Sequence, residues 1–317
     1  MSLAFVFPGQ GSQSPGMLAA LAAAEPVVEE TFAEASAVLG YDLWRLCQQG
    51  PAAELGSTEK TQPAMLAAGV AVWRAWLKHG GPRPVSMAGH SVGEYSALVC
   101  SGAIDFAAAI DLVRFRGHVM QQAVPLGLGA MAAILGLEDE ALAEACREAE
   151  QGEVVELVNF NAPGQTVIAG HASAVARAIA AAKERGAKRA VLLSVSVPSH
   201  SSLMIGPADR LAERLATVEV RMPDVPAFYT VDMRMHASPA GIRQALKEQL
   251  YKPVRWTDTV RAMLANGVTT IVECGPGKVL TSLNRRIDRR RQLEAFAVED
   301  PQGLAAALSA CRERQHA

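Results

Sequence analysis

Five residues, Gly89-His90-Ser91-Val92-Gly93, stand between a short apolar run, Val85 to Ala88, and an apolar segment that stops near Gly102. The run reads as a buried strand and the segment as a helix, so this G-x-S-x-G is a sharp strand-to-helix turn. Such a turn admits only small residues on either side of its serine. It lifts the Ser91 hydroxyl clear at the carboxyl end of a sheet, beside a helix N-terminus, with the backbone N–H of Val92 facing the oxyanion that attack by Ser91 would create. The alternative is an ordinary turn that happens to contain a serine.

The rest of the chain alternates strand and helix, the pattern of a parallel α/β sheet. Ala4 to Phe7 is a short apolar strand that ends at Pro8-Gly9 and feeds the loop Gly9-Gln10-Gly11-Ser12-Gln13. Helical patterns cover 26–39, 62–79 and 105–123. After Pro125 the rhythm changes to strand 130–135, helix 138–149, strands 154–158 and 166–169 joined by Asn161-Ala162-Pro163-Gly164, helix 172–185 and strand 190–195. This β-α-β-β-α-β order is that of a ferredoxin-like module. The expected division is a main α/β domain over 1–124 and 198–317, with an inserted ferredoxin-like subdomain over 125–197. Helices are expected at 203–216, 239–250 and 257–266, a strand at 268–272, and a helix after Gly277.

A serine nucleophile needs a base. Of the seven histidines, His200 follows the inserted module directly, at the seam between the two domains, where pockets form. His90 adjoins the serine, but neighbours across a tight turn point apart. No carboxylate is marked out as the third member of a triad; Asp224 and Asp232 lie in uninformative contexts, and a backbone carbonyl could hold the imidazole instead, leaving a dyad. On the helix at 105–123, Arg116 shares the face of Ala109, Leu112, Val113, Val119 and Met120, whereas Arg114 points to water. A buried guanidinium needs an anion; the choices are a clamp for a substrate carboxylate, an internal salt bridge, or a side chain that reaches back to solvent. Gln249 shares the apolar face of Ile242, Ala245 and Leu246, so its amide must find partners inside, in a structural or a catalytic role. Gln10, between two glycines, either forms a tight turn or offers a second oxyanion donor.

Several classes fall away on composition. The 317 residues carry 30 Lys and Arg against 32 Asp and Glu, too balanced for a general nucleic-acid binder. Ser14 replaces the third glycine of a dinucleotide fingerprint, and Gly277-Lys278-Val279 is not a P-loop. No long charge-free apolar stretch suggests a membrane span, and Met1 to Pro8 does not read as a secretory leader. Cys47, Cys100, Cys146, Cys274 and Cys311 are scattered, so reduced thiols in the cytoplasm are expected, with no metal site. The basic tract Asn284 to Arg291, with Arg285, Arg286, Arg289, Arg290 and Arg291, is either a solvated face or a docking patch for an acidic partner or phosphates; Lys188-Arg189 invites the same two readings.

Taken together, the chain resembles the malonyl-CoA:acyl carrier protein transacylases of bacterial fatty acid synthesis almost end to end. The resemblance is carried by Phe5 to Gln13, Thr61-Gln62-Pro63-Ala64, Gly89 to Tyr95, Arg116-Gly117, Gly129-Ala130-Met131, Asn159 to Gln165, Val197-Pro198-Ser199-His200, Gln249 to Val254 and Glu273 to Leu280. It implies an α/β-hydrolase-like domain with a ferredoxin-like insert. It implies Ser91 as the acylated nucleophile, His200 as its base, and the backbone N–H groups of Gln10 and Val92 as the oxyanion hole. Arg116 would grip the malonyl carboxylate, and the Gln249 carbonyl would orient His200. The substrates implied are malonyl-CoA and acyl carrier protein; no cofactor and a monomer are expected. Val92 departs from the family's usual Leu, and Tyr229-Thr230 from an Asn-containing stretch. The alternatives are a free-standing polyketide-type acyltransferase, a serine esterase or thioesterase, or a scaffold without catalysis.

Overall fold

Leu3–Phe7 is buried at every position, which a strand achieves only when both faces of its sheet are covered. In the computed structural model, which describes residues 2–125, 127–195, 197–288 and 293–313, this strand (β1) lies inside a six-stranded sheet. The other strands of that sheet are β2 (Ser86–Gly89), β7 (Ala227–Tyr229), β8 (Arg234–Met235), β9 (Thr270–Cys274) and β10 (Glu294–Val298). Their order is β10-β9-β1-β2-β7-β8, parallel except for the terminal β7–β8 pair. On one face Phe5 meets Trp73 and Trp76 edge-on at 5.2 and 5.1 Å. On the other, Ala4, Val6 and Ala88 pack with Trp256, Val260 and Met263. The mixed α/β class and the parallel sheet follow the expectation from sequence.

A second, antiparallel sheet holds β3 (Gly129–Leu135), β4 (Val155–Ala162), β5 (Gln165–His171) and β6 (Arg189–Leu192), in the order β4-β5-β3-β6. Helices Asp139–Glu150 and Ala172–Glu184 bury their alanine-rich faces on it. The expected four-residue loop at 161–164 is shorter: Asn161 and Ala162 stay in β4, and only Pro163-Gly164 turns, with Gly164 at φ 70°. The strand expected over 190–195 ends at Leu192, with Leu193 N–H still donating to Met131 O at 2.9 Å, and Leu193 and Val195 line the cleft described below. The two sheets meet through main chain. Phe160 N–H donates to Val254 O and Val254 N–H to Val158 O, each at 2.9 Å, so the segment before helix Trp256–Ala265 extends the edge of β4.

Helix Thr58–Lys78 starts four residues earlier than expected and carries Pro63 inside it. The helix expected to run to residue 250 ends at Glu248, leaving Gln249 as its cap. In the basic tract, Arg285 and Arg286 are exposed, yet both bond to the fold: Arg285 to Ala295 O at 3.0 Å, and Arg286 to the β4–β5 turn through Gln165 and Pro163 O. Arg289, Arg290 and Arg291 lie outside the described residues. Among the described residues, no helix is long and apolar enough to cross a membrane.

Candidate active site

The elbow forms because two glycines let it. A Cβ on Gly89 would fall 1.9 Å from the Gly93 carbonyl carbon, and one on Gly93 would fall 2.1 Å from Phe7 O. Between them Ser91 adopts φ 53°, a left-handed conformation that costs a non-glycine residue about 1–3 kcal/mol. The parallel β1–β2 register sets Phe7 against Gly89, and His90 N–H donates to Phe7 O at 2.9 Å. The loop that follows β1 is thereby laid against the elbow. Gln10 and Val92 both border the cleft in front of Ser91, and among the described residues neither backbone N–H donates to a protein acceptor.

His200 arrives from the other side, also at positive φ, 67°. Its own N–H donates to Leu250 O at 2.9 Å, and its ring Nδ1 lies 2.6 Å from Gln249 O. A carbonyl only accepts, so Nδ1 carries the hydrogen and the neutral ring presents Nε2 as an acceptor. Nε2 is 2.8 Å from Ser91 Oγ, whose hydroxyl donates to it. The ring is buried; burial and then the positive field of Arg116 lower its pKa to about 3, against the raising effect of the Gln249 carbonyl. Among the described residues no carboxylate backs the imidazole. Asp224 sits against Gly102, and Asp232 pairs with His236 at 3.2 Å. The turn after His200 is held from the second sheet, where Glu156 accepts from Ser202 N–H and Oγ at 2.8 Å each.

Arg116 is 1% exposed on helix Phe106–Gln121, so its side chain does not reach solvent. Nor is it in an internal salt bridge, since among the described residues no carboxylate lies within ion-pairing distance of it. Its fork donates to neutral oxygens only: Nη1 to Gln62 Oε1 at 2.8 Å, and Nη2 to Gln249 Oε1 at 2.9 Å and to Ser91 Oγ at 3.3 Å. Among the described residues Nε is buried without a hydrogen-bond partner. Burial lowers the guanidinium pKa, which Tyr95 and Glu94 partly restore. Arg114 behaves as expected, exposed and paired with Asp111 at 2.7 Å.

Gln249 touches all three groups at once. Its carbonyl takes the His200 proton bond, its Oε1 takes Arg116, and its Nε2 donates to Ser91 O at 3.0 Å. Ser91, His200, Arg116, Gln10 and Val92 converge on one cleft between the sheets, with a volume of about 170 Å³. Three participants had no assigned role in the sequence reading. Gln62, 1% exposed on helix Thr58–Lys78, was detectable by the same inward-facing logic as Gln249. Asn161 joins the elbow to the second sheet by a 2.8 Å bond to His90 Nε2. Glu94 is buried behind the elbow, where Oε1 accepts from Thr230 N–H and Oγ1 at 2.6 and 2.5 Å. Burial raises its pKa to about 7, against the lowering effects of Thr230 and Arg116. The Tyr229-Thr230 departure thus still supplies two donors. Among the described residues there is no cluster of three His, Cys, Asp or Glu side chains that could hold a metal.

A hydroxyl bonded to a neutral imidazole, two unengaged N–H donors and a buried cation around one cleft make up the arrangement that acyl transfer requires. The chain belongs to the acyl transferase domain family, whose match runs over residues 4–297. Within that family its relatives are malonyl CoA-acyl carrier protein transacylases. That of Escherichia coli (strain K12) is 59% identical over 305 residues, covering 96% of this chain and 98% of that protein. Among solved structures, an acyl carrier protein S-malonyltransferase from Vibrio cholerae is 57% identical with a TM-score of 0.93, covering 96% of this chain and 99% of that one. A malonyl-transacylase in complex with a type II PKS acyl-carrier protein is 56% identical with a TM-score of 0.96, covering 98% and 100%.

Proposed function

We infer that this chain transfers the malonyl group of malonyl-CoA to the phosphopantetheine thiol of acyl carrier protein, in support of fatty acid synthesis. The observation that carries the choice of acyl group is the buried Arg116 fork, 3.3 Å from the nucleophile and bonded only to neutral oxygens. A desolvated guanidinium of this kind favours a substrate that brings a carboxylate and disfavours one that leaves it unpaired.

In the mechanism we propose, Ser91 Oγ attacks the thioester carbonyl as its proton passes to His200 Nε2. The backbone N–H groups of Gln10 and Val92 hold the oxyanion, each contributing about 10²–10³ in rate. Collapse breaks the C–S bond, His200 protonates the departing thiolate, and a malonyl ester remains on Ser91. The carrier thiol then gives its proton to His200 and attacks that ester, and Ser91 leaves with the proton returned. Ser91 and His200 act as a dyad, with Gln249 O in the place a carboxylate takes in a triad. The chemistry calls for no cofactor or metal.

We read the two sheets as an α/β-hydrolase-like domain over 1–124 and 198–317 and a ferredoxin-like insert over 125–197. The β-α-β-β-α-β order and the β4-β5-β3-β6 arrangement support the second assignment. We also read the enzyme as a monomer of the cytoplasm, a compartment consistent with the unbridged thiols of Cys47, Cys100, Cys146 and Cys274. A carrier from polyketide synthesis is the second reading, favoured by the similarity to the transacylase bound to such a carrier.

Intact mass spectrometry tests the reaction. Mixed with malonyl-CoA, the parent protein should gain one malonyl group and pass it to added holo carrier protein, and Ser91→Ala should gain nothing. Rapid release of free malonate without carrier would instead make it a hydrolase.

A further inference from the structure

We propose that Gln62 is a positioning residue that sets acyl specificity: its neutral carboxamide oxygen holds one arm of the Arg116 fork without cancelling the charge, leaving the cleft short of one anion. This rests on the transacylase reading above and deepens it.

Gln62 is buried in helix Thr58–Lys78 among Ala64, Met65 and Leu66. Its Oε1 accepts from Arg116 Nη1 at 2.8 Å, while its Nε2 finds only Met120 Sδ at 3.5 Å. The amide cannot be turned over, because its NH₂ would then face guanidinium N–H groups. Sulfur is a weak acceptor, so little is gained from the NH₂ end. A glutamate of the same length would reach Arg116 equally well and would make a charge-assisted bond with it. The carboxamide therefore does one thing that a carboxylate would not: it fixes the direction of the fork and leaves its charge open.

The surroundings do not fill that gap. The second arm also rests on a carboxamide, Gln249 Oε1, at 2.9 Å. Glu94, the carboxylate whose field reaches Arg116, forms no ion pair with it among the described residues: its Oε1 is committed to two Thr230 donors. The fork gains a direct charge partner when an acyl chain carrying its own carboxylate enters, close enough for its carbonyl to meet Ser91. A carboxylate at position 62 would neutralise the fork beforehand. Malonyl would then meet a like charge in a desolvated cleft, and an uncharged acyl group would no longer strand a cation.

Single-turnover acylation by malonyl-CoA and by acetyl-CoA, read by intact mass, tests this on the parent protein, Gln62→Glu and Gln62→Met. Gln62→Glu should lose malonyl acylation by about 10²-fold or more while acetyl acylation holds or rises, inverting the preference. Gln62→Met removes the arm but adds no charge. It should raise KM for malonyl-CoA more than it lowers the maximal rate, and should keep malonyl ahead of acetyl. A merely structural role would lower both substrates alike in both variants, and that result overturns the proposal, as does an unchanged malonyl preference in Gln62→Glu. If Gln62→Glu does not fold, Gln62→Met decides alone: equal losses for both acyl groups reject the idea. A parent protein that takes up no malonyl group rejects the transacylase reading instead.

Discussion

Ser91 and His200 are both held at left-handed backbone angles, and each depends on neighbours that hold it there. The chemistry of the pair follows from what surrounds it. Because burial keeps His200 neutral, with its pKa lowered from 6.5 to about 3, the acid limb of kcat/KM for malonyl transfer should lie well below pH 6.5. A pH–rate profile with a limb at or above 6.5 would contradict this. The same shift acts on stability. Between about pH 6.5 and 3 the unfolded chain binds a proton that the folded one refuses, so stability falls on acidification through that window and is flat above it. His200→Gln should therefore lose melting temperature less steeply between pH 7 and 4 than the parent. Glu94 acts in the opposite sense, since its raised pKa favours the fold at low pH and is lost as pH rises through about 7. Arg116→Ala should weaken malonyl acylation by about 10²-fold or more and raise the relative use of acetyl-CoA, read as two kcat/KM values. Equal loss for both would remove the clamp from the account. At this scale the sequence singled out Ser91, His200, Arg116, Gln10 and Gln249. It did not assign roles to Gln62, Asn161 or Glu94, because their partners, Arg116, His90 and Thr230, lie 54, 71 and 136 positions away.

Among the elements, the elbow is the least forgiving. Gly89→Ala would drive a methyl group into the helix that follows, at a cost of about 3 kcal/mol, visible as a drop of several degrees in melting temperature. The turn after His200 is held more loosely, by the two bonds from Glu156. Glu156→Ala should slow acylation while leaving the melting temperature within a few degrees of the parent. A rate equal to the parent's would show that the turn holds itself. The long periodic helices and the apolar strands β1 and β2 were readable from pattern alone. β7 is three residues long and β8 two, too short for a period of two to show. Strand β10 and helix Pro301–Glu313 went unassigned because they follow a tract dominated by arginine and carry no motif. The early stop of β6 was equally hidden, since Leu193 and Val195 are as apolar as strand residues but turn into the cleft.

For the whole molecule, the cleft exists only where the two sheets are joined, through Val254 on the edge of β4 and the His90–Asn161 bond. Filling it with an anion should therefore stabilise everything at once. Malonylated enzyme should melt above the unmodified protein, and acetylated enzyme should gain less, because only the first satisfies Arg116. Equal shifts would mean that the guanidinium is already content. A consequence of Gln249 reaches beyond any one experiment. With Ser91, His200 and Arg116 all bonded to a single residue, exchange at position 249 unsettles three side chains in one step. A descendant enzyme adapting to a new acyl group has more freedom at the helix beginning at Thr58, which among the described residues hydrogen-bonds the guanidinium through Gln62 alone. Divergence in such a lineage would be channelled towards that helix.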